Sequence, residues 1–202
     1  MLKELFEGHF YGTFHKVRNR VLNLTEYVYT GTFSLLDSKA CNECHFICDS
    51  IPTNREQMRV ESQLPVNIIS IEEVFSYVKE NLGERCDYFM ESNGTVAVVE
   101  MTCSTSDYAM EKRQKARRQL YNTLTYLMMS PIVKKHIERL VKHYVIFSWK
   151  ETFDSSVTDD SVGESMTGMT VMADEVYSPD NESKFDFGFK LKEIRYPYAL
   201  VI

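Results

Sequence analysis

The chain has 202 residues, of which 44% are hydrophobic and 26% are charged, the proportions of an ordinary globular protein with a sizeable core. Its formal net charge of −6 argues against a uniformly basic nucleic-acid-binding protein. The longest apolar runs, residues 95–99 and 144–149, are too short to cross a bilayer, and the first residues lack the profile of a signal peptide. We therefore expect a cytoplasmic protein with no membrane association.

The first 65 residues carry the weakest structural signals. Residues 2–6 and 17–24 are predicted to be helical, and residues 27–36, which are rich in aromatic and β-branched side chains, are predicted to form a strand. Residues 40–51 alternate with a period of two, which favours another strand. Residues 50–63 are predicted to be a polar connection that a proline closes.

Four possible zinc ligands fall inside that alternating segment: Cys41, Cys44, His45 and Cys48. Structural zinc sites usually take two separated pairs of ligands, and no second pair follows here at a normal spacing. The alternation also puts Cys44 and Cys48 on one face of a strand. Buried strand cysteines are therefore favoured over a zinc site.

From Ser70 onward the sequence predicts secondary structure more clearly. Ser70 and Glu73 form a capping box, in which the hydroxyl and the third-position carboxylate each satisfy a free amide. Apolar residues then recur at helical spacing as far as Leu82, and Gly83 supplies a left-handed stop. The pattern predicts a helix from residue 71 to residue 82.

Two runs of strand-forming residues then flank Asn93-Gly94, the strongest short hairpin signal because a type I′ turn needs positive φ at both positions. A two-residue loop fixes the register, and counting outward from it places Asp87 opposite Glu100. Opposed side chains leave the same face with Cβ atoms about 4.5–5.5 Å apart. Thr102 lies two residues further along that face.

Two helices and a strand are predicted next. The first helix starts at Ser106 or Asp107 and ends at Met129, and a second restarts at Pro131, since proline suits the first helical position. Residues 144–149 form a continuous apolar run, as expected of a strand that is covered on both faces. The buried stripe of the first helix is predicted to be Ala116, Leu120, Thr123, Leu124 and Leu127.

The signals after residue 150 complete a division of the chain into three segments. Residues 151–182 have the composition of a loop, and residues 185–191 and 199–202 are predicted to be strands. We therefore expect an N-terminal extension over residues 1–65, packed on a core of residues 66–150. An acidic loop and C-terminal strands over residues 151–202 complete one compact domain.

Positive charge is concentrated on the two central helices. Residues 111–143 hold nine Lys or Arg and two Glu, a local charge of +7 that leaves −13 for the rest of the chain. The basic helix Lys112–Arg118 is suited to binding the phosphates of a nucleic acid or an acidic protein partner, although a charge run is more often a solvated face. The oligomeric state is not fixed by the sequence, which allows a homodimer.

The opposed carboxylates of Asp87 and Glu100 are the strongest chemical signal. Like charges facing each other destabilise a sheet, and each carboxylate raises the pKa of the other. A hard cation such as Mg²⁺ or Mn²⁺ removes the conflict, because it takes one or two carboxylates plus waters and phosphate oxygens. Such a metal polarises a phosphodiester and lowers the pKa of a bound water. A solvent-facing pair of carboxylates neutralised by Arg85 or Lys115 is the structural alternative.

This order of elements resembles the PD-(D/E)XK nuclease superfamily, in which a helix precedes a strand with Asp, the next strand carries (D/E)-x-Lys, and a helix and strand follow. Asp87 matches the motif aspartate and Glu100 the motif acid. Residues 115–124 are also similar to the helix that follows the motif in small bacterial members. The resemblance implies an α/β fold with a restriction-endonuclease-like core: helix, antiparallel hairpin, helix and strand in a mixed central sheet flanked by helices.

Thr102 departs from the family pattern, because it stands where the motif lysine is expected. Some members of the family recruit the lysine from the following helix, where Lys112 and Lys115 lie on one stripe with Gln119. Two hypotheses follow. The chain is a metal-dependent nuclease for DNA or RNA, in which Lys115 or Lys112 replaces the lysine and Gln119 orients the site. Alternatively, it is a catalytically inactive subunit of a bacterial defence or nucleic-acid-processing complex.

Overall fold

The structure is a computed structural model, and it describes residues 2–14, 22–36, 58–79, 81–104, 109–151, 182–196 and 198–202. The α-helices of the described residues are α1 (Leu2–Leu5), α2 (Ile71–Ser76), α3 (Ala109–Met129) and α4 (Pro131–Glu138), and α1 continues as a π-helical turn over Phe6–Phe10. The first strands are β1 (Glu26–Leu35), β2 (Met58–Ser70), β3 (Tyr88–Ser92) and β4 (Thr95–Ser104). They are followed by β5 (Lys142–Glu151), β6 (Glu182–Lys184), β7 (Lys190–Arg195) and β8 (Ala199–Val201).

All eight strands belong to one mixed sheet. Its order is β1-β2-β3-β4-β5-β7-β6, and β8 pairs with β2 beside that path. Neighbours from β1 to β4 are antiparallel, whereas β4, β5 and β7 run parallel to one another. A parallel pair needs a crossover, which α3 and α4 provide between β4 and β5. The α/β class is therefore confirmed, and strands from all three predicted segments share the sheet.

Apolar side chains cover both faces of this sheet. On the first face, Leu120 and Leu124 of α3 belong to one buried cluster with Val98 of β4 and Val145 of β5. The aromatic residues that follow α1 belong to the same cluster. On the second face, Val99 and Ile146 meet side chains from β1, β2, β7 and β8. β5 is therefore buried on both sides, as its continuous apolar sequence predicts.

The prediction of a polar connection over residues 50–63 is wrong for the part that the structure describes. Residues 58–63 lie in β2, with Met58 and Val60 buried and Arg59 exposed between them. This alternation is typical of a strand with one buried face and one solvent-exposed face. Pro65 is tolerated because the ladder with β1 changes register there, and β2 runs through the expected boundary at residue 65.

α2 is shorter than the predicted helix, which was expected to reach Leu82. The Ser70 hydroxyl caps it by accepting from the Glu73 amide at 3.3 Å, but the Glu73 carboxylate accepts from Thr25 instead of completing the capping box. At the other end, the Tyr11 hydroxyl donates to the carbonyl of Val74 at 2.7 Å. That carbonyl would accept from Val78 in a continuing helix, and the Val78 amide instead bonds to Phe75.

The predicted strand over residues 185–191 is also wrong in its first half. Residues 186–188 form a single 3₁₀ turn between the short strand β6 and β7. Phe187 and Gly188 both have positive φ, and two such residues in succession form a turn and not an extended strand. The expected strand over residues 199–202 is present as β8.

The helices around the crossover match the sequence pattern. All five residues of the predicted stripe of α3 are buried: Ala116 is 1% exposed, and the other four are 0% exposed. α4 starts at Pro131 and buries Val133 and Ile137. Among the described residues, none of the helices is both long and apolar enough to pass through a lipid bilayer.

Several predictions fall on residues outside the described ranges. These include the helix over residues 17–24 apart from its last residues, which are not helical, and the strand over residues 40–51 with its cysteine cluster. The start of the long helix before residue 109 and most of the loop over residues 151–182 also lie outside them.

Candidate active site

The hairpin of β3 and β4 forms as the Asn93-Gly94 turn predicts. Asn93 has φ of 40° and Gly94 has φ of 76°, the two positive values that a type I′ turn requires. The ladder keeps the predicted register from Ser92↔Thr95 to Tyr88↔Val99. The turn therefore fixes the position of every β4 side chain relative to β3.

The register changes by one residue at Asp87. The Asp87 amide donates to the carbonyl of Val99 at 2.9 Å, although Val99 is already the partner of Tyr88. Two residues on one strand thus lie opposite one residue on the other, as in a β-bulge, which redirects a side chain. The prediction that Asp87 lies directly opposite Glu100 is corrected accordingly. Its carboxylate instead reaches along β4 and accepts a 2.7 Å hydrogen bond from the amide of Met101.

Asp87 and Glu100 nevertheless share a buried neighbourhood. Asp87 is 9% exposed and Glu100 is 7% exposed. Burial raises the pKa of the fully buried Cys86 thiol well above its usual value; the hydrogen bond with Thr123 is the next largest effect and opposes this, and the charges of Glu100 and then Asp87 add to the increase. Both carboxylates therefore lie within electrostatic range of one thiol. Two carboxylates that are buried close together are stabilised by hydrogen-bond donors, a basic side chain, a shared proton or a bound cation.

α3 holds the segment that leads into Asp87 through three side chains. The Thr123 hydroxyl accepts from the Cys86 amide at 3.0 Å, and the Gln119 amide group donates to the Arg85 carbonyl at 2.8 Å. Asn122 donates to the Glu84 carbonyl at 3.4 Å. Gln119 was expected to orient the site, and in the structure it acts on the backbone two residues before Asp87.

The basic residues at the start of α3 differ in their ion pairs. Lys115 forms an ion pair with Glu84 at 3.6 Å, and both side chains are about half exposed. Arg113 forms a shorter ion pair of 2.9 Å with Glu193. Lys112 is half-buried, and within the described part of the chain it makes no ion pair. Of the two lysines on this stripe, Lys112 is the more buried, whereas Lys115 is about half exposed in its ion pair.

β7 adds two charged residues that the sequence reasoning missed. Glu193 pairs with Phe147, which pairs with Glu100, so all three share one row and one face of the parallel strands. Arg195 occupies the next row, in which its partner Trp149 is paired with Thr102. The Arg195 guanidinium lies 5.6 Å from the centre of the Trp149 ring. The alternation of Glu193 and Arg195 was visible in the sequence, but the placement of β7 beside β5 was not.

The site lies toward the carboxyl ends of β4 and β5. Ligands of open α/β sheets characteristically bind outside these ends, where the connections leave the strands. The described residues contain no group of three or more His, Cys, Asp or Glu side chains arranged to hold a metal ion. The pair of Asp87 and Glu100 suits Mg²⁺ or Mn²⁺, which take few protein ligands, better than zinc, which takes three or four.

Comparison of the chain with protein-family models, with curated proteins and with solved structures gives no match in any of the three. The resemblance to the PD-(D/E)XK superfamily therefore depends on the residues of this chain alone and stays a prediction.

Proposed function

We propose that the protein is a divalent-metal-dependent nuclease of the PD-(D/E)XK type that acts on DNA or RNA. The observation that carries the proposal is the pair of buried carboxylates, Asp87 just before β3 and Glu100 near the middle of β4, where β4 pairs with the parallel strand β5. A half-buried lysine, Lys112, lies near the start of α3, which packs on the face of the sheet that carries Val98 and Glu100. A protein interior rarely keeps two such acids together without a chemical reason.

The proposed fold is a restriction-endonuclease-like core. Its elements would be α2, the antiparallel hairpin of β3 and β4, the helix α3 and the parallel strand β5. Asp87 precedes the first strand of the hairpin and Glu100 lies in the second, in the order that the resemblance implies.

The roles follow from the contacts. Asp87 and Glu100 would hold Mg²⁺ or Mn²⁺, and the hydrogen bond from Met101 fixes the orientation of the Asp87 carboxylate. The bound metal would polarise the phosphodiester and lower the pKa of an attacking water. Lys112 would supply the positive charge of the missing motif lysine, since Lys115 is engaged with Glu84. Gln119 and Thr123 are positioning residues, because they hold the backbone before Asp87.

Loss of catalysis is the second candidate function, and Thr102 favours it. Thr102 is half-buried on β4, two residues after Glu100, and a hydroxyl cannot carry the charge of a lysine. A binding subunit would keep the sheet and the cation-bearing helix without turnover. The two candidates differ in one measurable property, namely cleavage.

The test is cleavage of plasmid, single-stranded DNA and RNA in Mg²⁺ or Mn²⁺, with EDTA as the blank. We expect Glu100→Gln to abolish cleavage and Lys112→Gln to slow it by about 10²–10³-fold, the usual cost of removing one charge-stabilising group. Lys115→Gln is the matched control, because it removes the same charge one turn away and should leave most of the activity.

Two results would decide against the nuclease. One is an intact substrate with folded wild-type protein in both metals, and the other is equal cleavage by wild type and Glu100→Gln. If the wild type is inactive but Thr102→Lys cleaves, the second candidate is supported, because restoring the motif lysine would then be sufficient for turnover.

A further inference from the structure

Two exposed aromatic rings meet on the outer surface of α3. Tyr121 and Phe187 are each 44% exposed, and their ring centroids lie 5.9 Å apart at an interplanar angle of 34°. Tyr121 comes from α3, whereas Phe187 comes from the turn between β6 and β7. We call Arg117, Arg118, Tyr121 and Phe187 the stacking surface.

Phe187 is held outward by an unfavourable backbone. It has φ of 58° and ψ of 22°, the left-handed region that a bulky residue rarely adopts, and Gly188 follows with φ of 78°. The Phe189 amide closes the turn on the Asp186 carbonyl at 3.2 Å. Such a turn prefers Asn, Asp or Gly where Phe187 stands. An aromatic residue that is strained and also exposed points to a use outside the core.

The neighbouring charge fits a polyanion. Arg117 and Arg118 are exposed, and the Arg117 guanidinium lies 5.8 Å from the centre of the Phe185 ring. Both arginines line a surface cavity of about 260 Å³. The other lining residues are Tyr121, Asn122, Phe185 and Asp186, the last of which is the single acid among them.

We propose that the stacking surface binds unpaired bases of a single-stranded nucleic acid, with bases on Tyr121 and Phe187 and backbone phosphates on Arg117 and Arg118. Aromatic faces bind bases of any sequence when those bases are not already stacked inside a duplex. Arginines beside them contact phosphates without reading sequence. An acidic protein partner would pair with the arginines but would leave the strained ring without a role.

This inference rests on the proposed function and deepens it, because it names the strandedness of the substrate. Lys112 and Tyr121 are nine residues apart on α3, a distance of about 14 Å along a helix that rises about 1.5 Å per residue. Nine residues are about two and a half turns of an α-helix, so these two side chains lie on opposite sides of α3. A strand bound at the stacking surface would therefore have to pass around the helix to reach Lys112.

The test is fluorescence anisotropy in EDTA, so that binding is measured without cleavage. Three labelled probes of equal length are compared: a thymidine strand, an abasic strand with the same phosphates, and a duplex. We expect the thymidine strand to bind most tightly. Tyr121→Ala and Phe187→Asn should each weaken that binding between about 5-fold and about 150-fold. Arg117→Gln should reduce the slope of log affinity against log salt by about 0.7.

The variants are chosen so that misfolding cannot imitate the result. Asparagine tolerates the left-handed backbone, so Phe187→Asn should melt at the same or a higher temperature than wild type while it loses binding. Tyr198→Ala removes another exposed aromatic ring, and Arg59→Gln removes an exposed charge on β2, so neither should change affinity.

Equal affinity for the thymidine and abasic strands would overturn the proposal, and so would tighter binding of the duplex. Wild-type affinity in folded Phe187→Asn would overturn it as well. Each of these results is independent of cleavage. Failure of the stacking surface therefore leaves the nuclease proposal standing, and a protein that binds strands without cutting them fails only the nuclease proposal.

Discussion

Gly94→Ala tests the turn that fixes the register of the candidate site. At the Gly94 φ of 76° an added Cβ costs about 1–2 kcal/mol. That Cβ would lie 3.6 Å from Val141 Cγ2, an ordinary contact, so crowding adds nothing. The Gly94 carbonyl would still accept from Val141 and Lys142. Alanine also reduces the entropy of the unfolded chain, which offsets about 0.4–1 kcal/mol. We expect a net loss of about 1 kcal/mol in the free energy of unfolding.

The measurement is urea denaturation followed by far-ultraviolet circular dichroism. The midpoint should fall while the slope stays constant, since the same surface is exposed on unfolding. Gly12→Ala is the control, because Gly12 has no positive φ and no atom lies within 4 Å of its added Cβ. An unchanged midpoint for Gly94→Ala, or an equal drop for Gly12→Ala, would show that this turn does not depend on a left-handed glycine.

Two further predictions concern single contacts. Tyr11→Phe should lower the free energy of unfolding by about 1–3 kcal/mol in the same denaturation assay, because the Val74 carbonyl loses a buried partner at 2.7 Å. Hydrogen bonds from Lys190 first, and then Lys192, lower the pKa of Glu182 to about 2. Its carboxylate therefore stabilises the fold above the unfolded pKa of about 4.3, and this contribution is lost as the pH falls through about 2. Glu182→Gln should consequently destabilise the protein at neutral pH but not in strong acid, as thermal melts across that range would show.

The sequence predicts those elements whose signal is local and complete. Asn93-Gly94 specifies both the turn and the ladder beside it, because two positive φ values admit few other residues. The buried stripe of α3 is equally predictable, since its apolar side chains recur at helical spacing in the sequence, and all of them are buried in the structure. β5 follows from an apolar run that suits only a strand covered on both faces.

The sequence predictions fail where a contact with a distant residue determines the local structure. The end of α2 depends on the Tyr11 hydroxyl, which no feature near Val74 reveals. The shift at Asp87 depends on the Val99 carbonyl and the Met101 amide, so counting from the turn fails one residue beyond the ladder.

The surroundings of α3 were unpredictable for the same reason. Its basic stretch lacks interleaved aromatic residues in the sequence, and the turn before β7 supplies them in space. Phe185 and Phe187 reach Arg117 and Tyr121 from a turn that the sequence predicted as strand. Likewise, the pairing of β7 with β5 places Glu193 in the row of Glu100. Strand order is a property of the whole sheet, and no single segment encodes it.

The parallel pairing of β8 with β2 has a consequence for the order of folding. It joins Arg59 to Ala199, so it closes one of the largest loops in the sheet, and such contacts form slowly because chain entropy opposes them. Until β8 docks, the N-terminal half of β2 offers unsatisfied backbone groups beside Met58 and Val60. An exposed strand edge of this kind recruits other chains. A chain in which β8 has not yet docked therefore exposes this part of β2 to pairing with other chains.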